Sequence, residues 1–567
     1  MIKKQAVPST QIKLSPIAKA LQASIIGVGL IHGAANAATI EVNTAIDIAS
    51  GICPEPNEGG GVICNPLFFC TLRNAVDSIN LGTPIAGCIE DGDFGNDDRI
   101  TFADTLTFSQ TPAPTITLDS IERSIEITED VIIDGAISSG GNVTIDSRQS
   151  WGAFDIEDST VTLSNLTLTG SNLDEAVNAT NSTVTINNSA LYENSDNSGA
   201  GLEAIDSTVT INSSSITNNS AQAGAGILAI RSELTINDGD LSNNAATTNS
   251  GGGLGGAIRL IDSELNVNRT SINNNIAGYA AAIGTQESLV TITESDISGN
   301  FANRRGGAIL ISRSTAQSNP SSVSIYSTTL SDNSTNGDGG AIVTSANSGA
   351  TEFYIVDSTL SRNTAGANGG AVWMRNSSAS ILNTTFSGNI AQDGDGGAIN
   401  LVSNYISLSN TTITNNTASD RGSGIFVSTF QVPTPIFHNS ILAGNNGNDC
   451  ESNLGLTSFV IADSFNIIQN DACSTDARNI DPMLGPLANN GGATLSHALL
   501  PTSPARNSGD LITCTTEDQR GQLRNNGDNA CDVGAIEFNR NDDFGEEEET
   551  NFIVIPLSNG RAVVIPN

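Results

Sequence analysis

Lysine is nearly absent: Lys3, Lys4, Lys13 and Lys19 are the only ones in 567 residues. Aromatic residues make up 4% of the chain and charged residues 15%, against about a quarter charged in ordinary globular proteins. Long helices and coiled coils draw on Lys, Arg and Glu, so this shortage argues against both. With 23 basic and 60 acidic residues the formal charge is -37, which excludes nucleic-acid binding, because phosphate contacts need Lys and Arg. There are three His, and no Cys between Cys88 and Cys450. What remains is Gly, Ser, Thr and Asn with ample Ile, Val and Leu, the composition of an acidic, turn-rich β protein rather than a disordered one.

Residues 1–37 read as a secretory signal. The four Lys precede or enter an apolar stretch, Ala20 to Leu30, and Ala35-Asn36-Ala37 supplies a small-x-small cleavage site. The stretch is too short for a permanent membrane helix, and no transmembrane span is expected in the mature chain. Cleavage would leave Arg as the only strong cation, so no lysine amine is available for Schiff-base or proton-abstraction chemistry. In an exported chain, Cys53, Cys64, Cys70 and Cys88 near one end and Cys450, Cys473, Cys514 and Cys531 near the other read as disulfides formed within each group. Spacing leaves three connectivities open at each end.

The middle of the chain repeats. An apolar residue is followed five positions later by another and three further on by Asn, as in Ile211, Ile216 and Asn219. The first position recurs eleven times, from Leu163 to Phe437, at steps of 23 to 33 residues. The last position is Asn194, Asn219, Asn244, Asn275, Asn300, Asn333, Asn363, Asn389, Asn416 and Asn445, with Ser171 in the first copy. Gly-Gly-Ala-(Ile/Val) motifs sit between copies at Gly255, Gly306, Gly339, Gly369 and Gly396. Apolar–polar alternation within each unit predicts short half-buried strands, broken by Gly and Asn at corners. A unit this short has no core of its own and must stack on its neighbours. The expected fold is all-β, a parallel β-helix of about eleven or more coils with the Asn forming an internal amide ladder. Variation in step length is expected to map to loops at one corner, a natural place for binding contacts.

The pair Phe386-Ser387-Gly388-Asn389 and Gly396-Gly397-Ala398-Ile399 resembles the repeats of polymorphic outer-membrane proteins. Cys70-Thr71-Leu72-Arg73-Asn74-Ala75-Val76 resembles the C-S-L-R-E-A box of exported β-helix proteins, with Thr for Ser and Asn for Glu. The C-terminal part is similar to the choice-of-anchor Q domain. The matching stretches run from Asp481-Pro482 through Asn490-Gly491-Gly492, Ser503-Pro504-Ala505 and Asp518-Gln519-Arg520-Gly521 to Cys531-Asp532-Val533-Gly534-Ala535 and Glu537. These resemblances imply a right-handed, pectate-lyase-like solenoid, a surface or extracellular address and outer-membrane association, but no established reaction. The expected organisation is a signal at 1–37, an N-terminal cap at 38–110, β-helix repeats at 111–445, a choice-of-anchor Q-like region at 446–540, and an acidic linker with a terminal β-hairpin at 541–567. The two flanking regions are expected to cover the open ends of the solenoid, where strand edges and core would otherwise be exposed.

No catalytic residue is assigned. Pectin hydrolases of this fold carry G-H-G and R-I-K boxes; here His438 and His497 lack Gly neighbours, and R-I-K needs Lys. Arg304-Arg305, a candidate lyase base, has no carboxylate beside it in sequence and reads as a surface loop. Asp338, Asp393, Asp395 and Asp420 precede Gly motifs in comparable loops, and a vertical line of such carboxylates would suit Ca²⁺. The expected role is adhesive or structural binding of a glycan or other surface ligand by a monomer, with a polysaccharide lyase or hydrolase as the alternative. Mass mapping of the disulfides should find pairs only within the first four and within the last four Cys; a bridge between the groups would overturn the capped arrangement.

Overall fold

A computed structural model describes residues 37–45, 69–538 apart from short breaks, and the strands Phe552–Pro556 and Ala562–Pro566. The signal segment up to residue 36, Cys53, Cys64, the acidic stretch 541–551 and the turn at Asn559-Gly560 lie outside the described residues.

From Thr208 onward the coils repeat four steps. Thr208–Asn212 joins a first sheet, Ser215–Thr217 a second, Ser220–Ala221 a short corner sheet and Ile227–Ile230 a third, after which Glu233–Asn237 begins the next coil. Stacking yields sheets of 15, 14 and 13 strands, with eight at the corner. Coil-to-coil pairing is parallel and in register, so that Ile186, Ile211 and Ile236 are successive partners. The chain is therefore the all-β parallel β-solenoid expected from its repeats. Inward columns such as Val184, Val209 and Leu234 are fully buried in one continuous core.

Corners follow from backbone sterics. One residue per turn adopts the left-handed conformation, for example Asn181, Asp206, Arg231 and Asp262 between the third and first sheets. Asn and Asp tolerate this region better than other side chains, which accounts for part of their abundance. The Gly-Gly motif has two separate reasons. Gly396 has φ +74°, and a Cβ on Gly397 would lie 2.1 Å from the Ser423 carbonyl oxygen of the next coil.

The repeat Asn residues face inward and bond along the axis. Each Nδ2 donates to the Oδ1 of the next Asn at 2.9–3.1 Å, from Asn194 through Asn445. The ladder ends on Ser171 at one side, whose hydroxyl donates to Asn194 Oδ1, and on Asp449 at the other. Each amide also binds backbone: Asn300 Nδ2 donates to the Ile272 carbonyl, and Asn300 Oδ1 accepts from Asn275 N. The left-handed residue of this corner is the one before the ladder, such as Gly299 or Asn274, not the ladder Asn itself.

The ends are closed differently from one another. At the N-terminal end a helix, Leu72–Leu81, buries Leu72, Ala75, Val76 and Ile79 in the core. Thr71 caps it by accepting from Asn74 N, and Cys70–Cys88 ties its two sides. The C-S-L-R-E-A-like box is thus a helix start, which alternation of apolar and polar residues did not reveal. Region 446–540 acts in two parts. Phe459, Val460, Ile468 and the Cys450–Cys473 pair extend the core at the C-terminal end. Residues 482–538, including Cys514–Cys531, fold back along the flank of the second sheet. There Gln519 bonds Thr359 and Thr385, Ala535 N donates to the Thr412 hydroxyl, and Asn439 donates to the Asp510 carbonyl.

Replacing Asn300 by Ala strands the partners of a buried amide and should cost about 1–3 kcal/mol. Asn300→Gly should be no better, since the position has no left-handed backbone to relieve and glycine adds about 0.5–1 kcal/mol of entropic cost. Exposed Asn303 should tolerate Ala within ~0.5 kcal/mol. Thermal and denaturant unfolding check all three; near-wild-type stability of the Gly variant would refute the ladder's contribution.

Candidate binding face

The three long sheets present different outer surfaces. The first shows Thr and Asn, such as Thr185 and Asn187, with an outward amide ladder from Asn187 through Asn212 and Asn237 to Asn268. The second shows Ser, Thr and Asp, and its later coils are covered by residues 482–538. The third is mixed: its outward positions carry Glu157 and Glu203 in the early coils and Gln286, Ser312, Ser345 and Arg375 in the later ones, with apolar residues among them. Ile205, Ile230 and Ile261 form one outward row, and Leu228, Leu310, Val343, Trp373 and Phe426 lie in a second. Gly corners fold over that second row, so Trp373 is 7% exposed and Phe426 fully buried. The longer repeats gain their extra residues next to this sheet, between Ala246 and Ile258 on the corner side. On the other side the insertions fall between Arg313 and Ser322, Ala346 and Thr351, and Thr429 and Ile436. The variable loops expected at one corner therefore border one sheet from two sides.

Charge on this face is uneven along the axis. In the early coils Asp155, Asp174, Glu175 and Glu203 cluster. Burial pushes the Glu175 carboxyl far above the usual range, with hydrogen bonds to Glu203 and Asp174 adding to it. Burial also raises Asp155, helped by the neighbouring Asp174 charge. Next to them a cleft of about 510 Å³ is lined by Asp206, Arg231, Glu233, Asp262, Glu264 and Glu287. Arg231 grips Asp206 with two bonds of 2.6–2.7 Å. In the later coils the cations of this face include Arg304, Arg305, Arg313, Arg375 and Arg421. Arg304 lies over Tyr279, Arg305 over Trp373 and Arg421 over Phe426, at 4.4–5.5 Å from the ring centres.

Two of the four loop acids considered for calcium are engaged by Arg. Asp338 sits 3.2 Å from Arg305 and accepts from Asn368, while Asp395 takes both bonds of an Arg421 fork. Asp393 and Asp420 are exposed. Among the described residues no group of three or more His, Cys, Asp or Glu side chains is placed to hold a metal. Asp338 and Asp395 are instead neutralised by Arg from an adjacent coil. This also places Arg305, which has no acid near it in sequence, beside Asp338 one coil away.

Among the described residues, His497 makes the contact that most resembles a catalytic pair. Its Nε2 lies 2.8 Å from Ser387 Oγ, yet Nδ1 faces the Gly485 carbonyl rather than a carboxylate, and both residues are buried. Burial lowers its pKa, so it is neutral and serves to dock the C-terminal lobe on the second sheet. Arg524 performs a similar service inside the lobe: wholly buried, it donates to the carbonyls of Asp532, Gly534 and Ala535 and to Asn383 Oδ1. These contacts account for the D-Q-R-G and C-D-V-G-A-x-E stretches as structure.

Sequence reasoning missed two further ladders. At the third-to-first turn, Ser182, Ser207, Ser232, Ser263 and Ser288 each accept from the backbone N of the previous member, beginning with Ser159. A parallel series runs at the first-to-second turn through Thr270, Ser295, Thr328 and Ser358. Their signal was present as the Ser that precedes each strand, as in I-D-S-T-V-T and I-R-S-E-L-T.

A family model described as the Chlamydia polymorphic membrane protein repeat matches residues 327–345 and 383–401. Each matched stretch spans a second-sheet strand, one ladder Asn, a Gly-Gly corner and the start of a third-sheet strand. The chain is thus a parallel β-solenoid whose repeats are similar to those of that family. No curated protein matches it.

Carboxyls raised by burial bind more protons folded than unfolded, so stability falls as pH rises above the ordinary Glu value of 4.5. Glu537, pushed up to about 8, and Asp449, to about 6, act in the same direction. The melting temperature should therefore be lower at about pH 8.5 than at about pH 5. Glu175→Gln, neutral at every pH, should lose less over that interval; an unchanged pH profile in the variant would overturn the assignment.

Proposed function

We propose that this is an exported β-helix protein of the cell surface or extracellular space, with outer-membrane association, that binds a glycan or a neighbouring surface. The observation that carries the reading is the third sheet: its outer face joins a short apolar row at Ile205, Ile230 and Ile261 to acids in the early coils and arginines in the later ones, and it is bordered by the variable loops, whereas the other two faces are uniformly polar or covered. The likeness of two repeats to polymorphic membrane protein repeats supports the address. No helix of the described residues is long and apolar enough to cross a membrane. We assign export to residues 1–37, repeats to 111–445 and the choice-of-anchor Q-like region to 446–540. Binding is expected to be independent of Ca²⁺, since Asp338 and Asp395 are paired with Arg.

The test is incubation of the mature protein with a panel of acidic and neutral glycans, with and without Ca²⁺. Retention without cleavage, weakened by Ile230→Asp on the third sheet, is the expected result. Release of shortened or unsaturated products would replace this reading with a polysaccharide lyase or hydrolase.

A further inference from the structure

The cleft of about 510 Å³ beside the third sheet follows the turn into the first sheet and spans four coils, from Asp206 and Thr208 to Glu287 and Leu289. Three coil steps of about 4.8 Å make it roughly 14 Å long. Its polar groups are mostly acceptors. Five carboxylates, Asp206, Glu233, Asp262, Glu264 and Glu287, face one guanidinium, Arg231. Arg231 has already given Nε and Nη2 to Asp206. The hydroxyls of the floor are committed too: Ser207, Ser232 and Ser263 donate to the carbonyls of Ile205, Ile230 and Ile261. A ligand must therefore bring donors, and one rich in carboxylate or sulfate would be repelled. Glu233 and Glu264 are register partners on neighbouring strands, both exposed, and neither has an ion-pair partner among the described residues. A cation between them would relieve a like-charge contact.

The last coil of the cleft adds a second requirement. Glu287 lines it while only 7% exposed. Gln286 Nε2 donates to Glu287 Oε2 at 3.1 Å, and Arg259 Nη2 donates to Gln286 Oε1 at 2.8 Å. Arg259 is itself 5% exposed, and its Nη1 has no acceptor. A buried carboxylate positioned in this way, backed by an unmet donor, suits a hydroxyl group, which donates and accepts together. Exposed Leu289 beside it offers an apolar contact for the CH face of a sugar ring. Hydroxyl and ammonium groups on one ligand describe an amino sugar. Spacing agrees: a coil step of about 4.8 Å is close to the length of one pyranose in an extended glycan, whereas side chains on one face of an extended peptide recur at about 7 Å.

We propose that this cleft binds a glycan bearing free amino groups, with an ammonium between Glu233 and Glu264 and a ring hydroxyl at Glu287. This deepens the binding reading above, at the edge of the same sheet, and rests on it. The test is calorimetric titration of the mature protein with a glucosamine tetramer, its N-acetylated counterpart, a galacturonic acid tetramer and tetralysine, below the pH at which the sugar amine loses its proton. The glucosamine tetramer should bind, more weakly as salt rises. N-acetylation should lower the affinity about tenfold or more. Glu233→Gln combined with Glu264→Gln should lower it about fivefold or more, with an unchanged melting temperature because both positions are exposed. Equal affinity for the acetylated tetramer, preference for galacturonate, or tighter binding of tetralysine would each overturn the proposal, and so would indifference to the two Gln substitutions. Retention of other glycans, lost in Ile230→Asp but unchanged in the double Gln variant, would leave the binding reading standing while this one falls; absence of all glycan binding would remove both.

Discussion

Every other feature of this protein depends on one constraint: coils must stack in register, because no coil can bury a core alone. A single turn offers a few inward Ile, Val and Leu and leaves its backbone groups unpaired on both sides. Stacking solves both problems together. Parallel pairing satisfies the peptide groups, and apolar columns close the interior. Register then becomes the property that polar residues must protect. A slip of one residue would turn every inward side chain outward. The buried Asn column opposes such slips, since each amide is satisfied only when the next Asn is at the same height.

The corners show how the same constraint selects residues. Three kinds of ladder run along the axis, and each does a different job. Asn amides bridge to both side chain and backbone, Ser and Thr hydroxyls cap the backbone N of the previous coil, and Gly-Gly admits a close approach that a Cβ would block. Left-handed residues adjoin the Asn ladder rather than belonging to it, whereas the first Gly of each Gly-Gly pair is itself left-handed. The abundance of Asn, Ser and Gly therefore has separate causes that composition alone merges.

The periodic part of this design was legible in the chain. The Asn column, the apolar columns and the Gly corners recur at short intervals, so their places on a coil follow from spacing. Contacts that break the period were not legible. Arg305 meets Asp338 and Arg421 meets Asp395 across a whole coil each, separations meaningful only once the coil path is known. These pairs engage two of the four loop acids that had suggested a calcium site. The helix at Leu72–Leu81 had a signal that the search for alternation passed over: Leu72, Ala75, Val76 and Ile79 fall at helical spacing between a Thr71 cap and Gly82. The lateral docking of residues 482–538 was hidden because its partners, Thr359, Thr385 and Thr412, look like any other outward Thr.

Stacking also decides where specificity can reside. The turns from the first sheet to the second, and from the second to the corner, are tight in every coil, whereas the third-to-first turn keeps its Ser ladder even across an insertion, since Ser288 N still donates to Ser321 Oγ beyond Arg313. Loops of variable length are therefore confined to the edges of the third sheet, where the long insertions of this chain fall. Outward residues of the third sheet also escape the demand for Thr, Ser or Asn, because the Gly corner already shields one row of them from water. Apolar, aromatic and arginine side chains can be placed there at little cost to solubility, which the acids elsewhere maintain. The face best suited to recognise a partner is in this sense a by-product of how the other corners keep register.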